Sequence, residues 1–310
     1  MNSKVTIVMY HYVRDTNKTN FPEIKALSKE KFNEQIDYFK RRYNFIRVDE
    51  LIAATNAEHE LPPNSVLLTF DDGYKDHYDN VYPILAENNI FGCFYPSGRS
   101  IDEKIVLDVN KIHFILAAVT DQNILIGEIF NLLDRYRGDY KLQSNDYYYN
   151  ELKAPNAYDS GDIVFIKHLL QRELPINVRN ELLDLLFKKY VTNDETGFAS
   201  ELYMQREHLI EMADNGMHIG NHGYNHYWLS AIDKEEQAGD IEKALNIIDT
   251  INGVNTGWTM CYPYGAYNEF TLQILKQSKC KTGFIVGNRI ADIKNDHPLI
   301  LPRVDTNQFI

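Results

Sequence analysis

The sequence has few cysteines, no surplus of positive charge and no long apolar run. Its three cysteines, Cys93, Cys261 and Cys280, are few and odd in number, which favours a reducing compartment over a disulfide framework. The formal net charge of -12 argues against nucleic acid or an anionic membrane surface as the main partner. No apolar stretch approaches the length that crosses a bilayer, so no transmembrane segment is expected.

The apolar run at residues 5–10 is too short for a signal peptide, and no small-residue cleavage site follows it. We therefore expect a cytoplasmic protein and interpret this run as a first strand. The length of 310 residues allows one large domain or two small ones. Because α/β barrels of this size commonly form a single domain, we expect residues 1–310 to form one. The sequence does not indicate an oligomeric state.

Strands and helices alternate along much of the chain, which favours an α/β fold. The runs at residues 4–10 and 65–70 are typical of strands, and the apolar spacing after Ser28 predicts a helix through Tyr43. Between residues 101 and 200 the pattern changes to successive helices. We interpret this block as a mostly helical insertion that either elaborates the packing or forms a wall of a substrate cleft.

Two adjacent carboxylates, Asp71 and Asp72, end the apolar run at 65–70 and are followed by Gly73. A charge is costly to bury alone, so a carboxylate pair at this place predicts a cation nearby. The sequence Asp-Asp-Gly is also common in simple turns. Its position at the end of a buried strand, where barrels place catalytic groups, favours a functional site.

Two histidines far downstream, His222 and His226, are four residues apart in a glycine-containing segment. One carboxylate with two imidazoles makes a metal site that leaves positions open for water and substrate. The second carboxylate then remains available as a base. The alternative is a pair of surface histidines on a polar loop. His218 has the same spacing from His222, and we interpret it as a supporting or structural residue.

Three motifs together resemble those of the polysaccharide deacetylase family, the NodB-type, family-4 carbohydrate esterases. They are Thr-Phe-Asp-Asp-Gly at 69–73, Asn-His-Gly-Tyr-Asn-His at 221–226 and Tyr-Pro-Tyr-Gly at 262–265. The resemblance covers about residues 4–100 and 200–305 and implies a distorted (β/α)7 barrel of NodB type. It also implies a role for each matching residue: Asp72, His222 and His226 as metal ligands, Asp71 as general base, and Tyr262, Pro263, Tyr264 and Gly265 as the groove-wall turn that helps to form the oxyanion site.

Two positions depart from the family's pattern. The arginine that many members carry before the Pro-Tyr-Gly turn is missing, and Arg303 is its candidate replacement; otherwise Arg303 forms a surface or interdomain salt bridge. The C-terminal histidine motif is also missing. His11, at the end of the first strand, instead resembles the acid histidine of the permuted branch that includes poly-N-acetylglucosamine deacetylases. The alternatives are that His11 is a core histidine satisfied by hydrogen bonds, and that His297 is the acid.

The resemblance implies a divalent metal cofactor, for which zinc is expected and cobalt, nickel or iron are alternatives. The predicted function is removal of an acetyl group from an N-acetylated sugar or glycan, with metal-activated water, an aspartate base and a histidine acid. One alternative is a deformylase or another amide hydrolase on the same scaffold. Another is a non-catalytic carbohydrate-binding protein, although binding alone needs no base beside a metal.

Overall fold

The computed structural model describes residues 3–156, 159–252 and 257–309, and the chain divides into two compact units. The first unit contains Met1–Asp15, Lys25–Lys104 and Ala199–Ile310, and the second contains Thr16–Ile24 and Ile105–Phe198. Two expectations stay predictions: that residues 1–310 form one domain, and that residues 101–200 are an insertion within it. Both ranges include positions outside the described residues, namely 1, 2, 157, 158, 253–256 and 310.

A sheet of mostly parallel strands forms the centre of the first unit. The strands are β1 (Lys4–Tyr10), β2 (Asn44–Phe45), β3 (Ser65–Asp72), β4 (Cys93–Pro96), β5 (His218–Ile219), β6 (Thr259–Cys261), β7 (Thr282–Val286), β8 (Ala291–Asp292) and β9 (Leu301–Asp305). Among the described residues, seven of them follow the order β5-β4-β3-β1-β9-β7-β6, while β2 pairs with β3 and β8 runs antiparallel to β1. Asn221, just after β5, bridges Met260 of β6, which joins the two edge strands into a barrel.

The period of two along each strand decides which side chains face the barrel interior. β1 and β3 are buried on both faces, because helices cover one face of these parallel strands and the barrel interior covers the other. Leu67 of β3 and Leu301 of β9 share one core cluster, whereas Phe70 packs in another with residues of the surrounding helices. By the same alternation, Asp71 and Arg303 lie on the side of Leu67 and Leu301. The two charged residues therefore meet inside the barrel.

Thirteen α-helices are present in the described part of the chain. They are α1 (Lys29–Arg42), α2 (Val48–Thr55), α3 (Tyr82–Glu87), α4 (Gly98–Asp102), α5 (Asp108–Ala118), α6 (Gln122–Tyr140), α7 (Asn145–Leu152), α8 (Gly161–His168), α9 (Ile176–Tyr190), α10 (Glu195–Leu202), α11 (Arg206–Asp214), α12 (Lys234–Asn252) and α13 (Glu269–Gln277). Ser28 caps α1 as its sequence predicts, because its side chain accepts a hydrogen bond from the Lys31 N–H. A π-helical turn, His77–Val81, leads into α3. Over the described residues, no helix has both the length and the apolar character that a membrane span needs.

The second unit is helical over most of its described length and contains α5–α9. Its segment Thr16–Ile24 contributes Phe21, whose ring packs edge-on against Phe114 and Phe198 at centroid distances of 5.1 and 5.9 Å. Helix α7 lies in a polar, tyrosine-rich stretch of the block that the sequence predicts to be mostly helical. Tyr148 is the buried residue of this helix, so it has no apolar stripe that a periodicity argument could detect.

Candidate active site

Asp71 and Asp72 end β3 and turn toward one site although they are neighbours in sequence. Adjacent strand residues normally point to opposite faces, but Asp72 has a left-handed backbone with φ of 72°, which breaks the alternation. A ligand atom of each carboxylate therefore lies within 4.8 Å of a ring nitrogen of His222. Gly73 follows with φ of 73°, and a Cβ there would lie 2.6 Å from the Cβ of Pro96, so this turn requires glycine.

Asp72, His222 and His226 form a buried cluster of metal-ligand type. The Asp72 Oδ1 atom lies 3.3 Å from the Nε2 atom of His222 and 3.2 Å from that of His226. Burial by itself would raise the pKa of Asp72, but the two imidazoles lower it well below its usual range. The cluster therefore offers an ionised carboxylate and two imidazoles at one point.

Three observations show that this cluster fits a divalent cation. Within the described residues, Asp72 Oδ1 is buried and makes no hydrogen bond, while Oδ2 of the same carboxylate accepts one from the Tyr74 hydroxyl. His222 Nδ1 lies 2.7 Å from the carbonyl oxygen of Cys261, which can only accept, so Nδ1 is the donor of this bond and Nε2 is the ring nitrogen that faces Asp72. Ligand orientation by such outer partners is typical of metal sites.

Asp71 is paired with Arg303 in the barrel interior. The guanidinium donates two hydrogen bonds to the carboxylate, at 2.8 Å to Oδ1 and 2.7 Å to Oδ2, and a third at 3.0 Å to Thr69 Oγ1. The Cys261 thiol also donates to Asp71 Oδ1 at 3.2 Å. Burial by itself would raise the pKa of Asp71, but Arg303 holds the pKa below its usual value. The carboxylate is therefore fixed and ionised.

His11 follows β1 and lies on the solvent side of this pair. Its Nε2 atom is 3.9 Å from Asp71 Oδ2, and 43% of its side chain is exposed. The backbone carbonyl of His11 accepts a hydrogen bond of 2.8 Å from Nε2 of His77, a fully buried residue of the π-helical turn. His11 is therefore an accessible imidazole on an anchored backbone, not a buried core histidine.

The turn at 262–265 divides its residues between the core and the site. Tyr262 is buried and its hydroxyl donates to the Leu299 carbonyl oxygen, so this side chain belongs to the core. Tyr264 has a left-handed backbone, and its ring lies 4.8 Å from the His226 ring and stacks at 4.4 Å on Trp228. The turn therefore contributes an aromatic wall beside the metal-ligand cluster.

His218 and His297 lie away from the site. His218 Nε2 bonds to Thr259 Oγ1 at 2.8 Å, which links β5 to β6. His297 accepts a hydrogen bond from the Leu299 N–H and caps the turn before β9. It therefore precedes the N-terminal end of a strand, whereas the site lies at the C-terminal ends.

Sequence reasoning missed several residues that contact the site. Tyr74, which holds Asp72, directly follows the Asp-Asp-Gly motif, so its place in sequence offered a signal. Trp228 follows His226 by two residues and offered a similar one. Cys261 is in contact with both Asp71 and His222 through strand pairing that no local pattern reveals.

Comparison with known proteins gives one family and one shared fold. The sequence profile described as "Polysaccharide deacetylase" matches residues 58–125 and 174–283. A curated relative, YxkH of Bacillus subtilis (strain 168), is provisionally named as a polysaccharide deacetylase. It is 27% identical over 103 residues, which are 33% of this chain and 35% of the relative. The match therefore spans about a third of that protein's length.

Two solved structures share the fold over nearly the whole chain. The deacetylase PplD of Streptococcus pyogenes, in complex with acetate, has a TM-score of 0.59 and 18% identity, covering 97% of this chain and 92% of its own. A de-N-acetylase from Aggregatibacter actinomycetemcomitans has a TM-score of 0.59 and 19% identity, covering 97% and 94%. This likeness confirms the predicted distorted (β/α)7 barrel.

Proposed function

Because this chain belongs to the polysaccharide deacetylase family, we propose that it is a metal-dependent hydrolase that removes an acetyl group from an N-acetylated sugar or glycan. One observation carries this proposal. Both His222 and His226 lie against Oδ1 of Asp72, a buried oxygen that makes no hydrogen bond within the described residues. The Asp71 carboxylate lies beside this cluster. A protein that only binds glycans needs no base beside a metal.

Asp72, His222 and His226 would hold the metal, and zinc suits two imidazoles and one carboxylate. When bound, such an ion supplies Lewis-acid polarisation of the acyl group and of water. Asp72 is held by Tyr74 and His222 by the Cys261 carbonyl, so both are oriented before any ion arrives. Cobalt, nickel and iron are the other candidates.

Asp71 acts as the general base in this proposal. It is ionised, lies within reach of the ligand cluster and accepts a proton from the attacking water. Arg303 performs the orienting role, since its two hydrogen bonds fix the carboxylate plane. In this proposal Arg303, which is distant in sequence, positions Asp71. It replaces the arginine that many family members carry before the Pro-Tyr-Gly turn.

His11 acts as the general acid that protonates the leaving amine. Its ring is exposed and can contact substrate, and its Nε2 atom lies 3.9 Å from Oδ2 of Asp71, the proposed base. Trp228 and Tyr264 supply a stacked aromatic surface next to His226 on which the apolar face of a sugar ring can pack. The turn at 262–265 is the proposed source of oxyanion donors.

The test is release of acetate from N-acetylglucosamine oligomers by the full chain, with and without a chelator. We expect release that stops on chelation and returns with zinc. Asp72→Ala should lose the metal, measured by elemental analysis, whereas His11→Ala should keep it and lose most turnover. Chelator-insensitive release, or glycan binding without hydrolysis of any acyl sugar, would count against the proposal; full activity of His11→Ala would remove only the acid assignment. Cytoplasmic location stays a prediction.

A further inference from the structure

We propose that Asp240, on α12, is the positioning residue that sets the shape of the loop between the two histidine ligands. This inference rests on the proposed metal site and adds a residue outside its motifs. Asp240 lies 14 residues after His226 in sequence but is buried beside the loop. Among the described residues, its hydrogen bonds go to Tyr224 and Asn225 and not to a ligand side chain, so we expect its effect on the metal to pass through the loop.

Asp240 accepts three hydrogen bonds from the two residues in the middle of the loop. Its Oδ2 atom accepts from the Tyr224 N–H at 2.9 Å. Its Oδ1 atom accepts from the Asn225 N–H at 2.9 Å and from the Asn225 side-chain amide at 2.8 Å. A buried carboxylate needs such donors, and hydrogen bonds to a charged acceptor are stronger than neutral ones. Both oxygens of Asp240 are therefore committed to the loop.

Three further polar groups of the loop backbone are also paired. The Gly223 N–H donates to the Asn221 side chain at 2.8 Å. The carbonyl oxygens of Gly223 and Tyr224 accept from the backbone N–H groups of Gly98 and Arg99, at 3.0 and 2.9 Å. The loop is thus bound from two sides, and Asp240 supplies the contacts on one of them.

Two features of the loop show that this conformation needs support. His226 has a left-handed backbone with φ of 59°, which is uncommon for a residue other than glycine and costs energy. Gly223 has φ of 71°, and a Cβ there would lie 2.7 Å from Asp240 Oδ2. The absence of a side chain at Gly223 therefore lets the Asp240 carboxylate approach the loop backbone. The hydrogen bonds of Asp240 then stabilise the loop conformation in which the His226 ring lies next to Asp72.

The experiment measures zinc affinity, which does not depend on turnover. The full chain is stripped of metal with a chelator, and zinc chloride is titrated into it in competition with a chromophoric chelator. Asp240→Asn replaces one accepting oxygen by a donor amide, and Asp240→Ala removes all three bonds. Glu242→Gln, an exposed residue of the same helix, removes the same charge and is the matched control. Circular dichroism and thermal unfolding of the metal-free proteins report whether each variant folds.

We expect both Asp240 variants to bind zinc about 10–100-fold more weakly while folded, as loss of an outer partner usually causes. Glu242→Gln should stay within about twofold of the parent protein. A folded Asp240→Asn with parental affinity would overturn the inference, as would an equal loss in the Glu242 control. A variant that loses thermal stability but keeps its affinity also contradicts it, since Asp240 would then be merely structural.

If neither Asp240 variant folds, Asn225→Ala decides, because it removes only the side-chain bond to Asp240. A smaller but measurable loss of zinc affinity supports the inference, and parental affinity overturns it. The proposed function fails separately: a parent protein that binds zinc but releases no acetate refutes the deacetylase proposal and leaves the role of Asp240 intact.

Discussion

Replacing Arg303 by methionine should destabilise the barrel, because it leaves the Asp71 carboxylate charged and without its main partner. Asp71 and Arg303 are 2% and 1% exposed, and two short hydrogen bonds join them. Methionine fills similar volume, so the change removes charge and donors more than packing. The loss should therefore report the ion pair and not a cavity.

The expected size follows from the burial of the pair. Removing one partner of a buried ion pair costs about 3–5 kcal/mol, since the other charge stays desolvated. For a unit of this size, that loss lowers the melting temperature by roughly 6–20 °C. Removing both charges avoids the penalty of an unpaired one. The double variant Asp71→Asn, Arg303→Met should therefore be more stable than either single variant.

Thermal unfolding of the four metal-free proteins tests this prediction, because the ligand cluster then contributes no binding energy. Arg303→Lys is a graded control, since it keeps the charge but cannot donate two parallel hydrogen bonds to one carboxylate. We expect its melting temperature to lie between those of the parent and Arg303→Met. A double variant whose loss equals the sum of the two single losses would refute the reasoning, because independent residues behave additively.

Two further predictions concern neighbours of the site. Burial lowers the pKa of His77 to about 4 from an ordinary value near 6.5. The stability that the neutral, buried imidazole contributes is therefore complete above pH 6.5 and is lost as the pH falls toward 4. At pH 5 the loss is about 2 kcal/mol. His77→Gln cannot titrate there and should lose less stability than the parent between pH 7 and 5 in thermal unfolding; equal losses would contradict this. Tyr74→Phe removes the hydroxyl that holds Asp72, and should weaken zinc binding about tenfold in the same titration as the Asp240 variants. Unchanged affinity in a folded Tyr74→Phe would show that the carboxylate needs no such support.

Local patterns were sufficient where the chemistry lies in consecutive residues. The apolar runs of β1 and β3 predicted buried strands, because a parallel strand covered on both faces needs no alternation. The Asp71–Asp72 pair and the His222–His226 spacing predicted which side chains share a site. The structure brings all four together, and their catalytic and metal-binding roles stay predictions.

Other contacts could not be predicted because their partners are distant in the chain. Arg303 was a candidate on position alone, and only the pairing order of β3, β1 and β9 brings it to Asp71. Tyr262 was expected to help shape the groove, yet its side chain is in the core because its hydroxyl finds the Leu299 carbonyl oxygen. No local pattern around Asp240 indicated that it binds the histidine loop.

The sequence by itself determined which side chains supply the candidate site, because carboxylates at a strand end and paired imidazoles are the residue types that favour a cation. Only the tertiary structure decided how those groups are held. Arg303 donates to Asp71, and Asp240 accepts from the histidine loop, only once distant strands and helices pack together. The same packing accommodates the left-handed turn at Asp72. The physical reason is that hydrogen-bond partners are set by proximity in space and not by proximity along the chain.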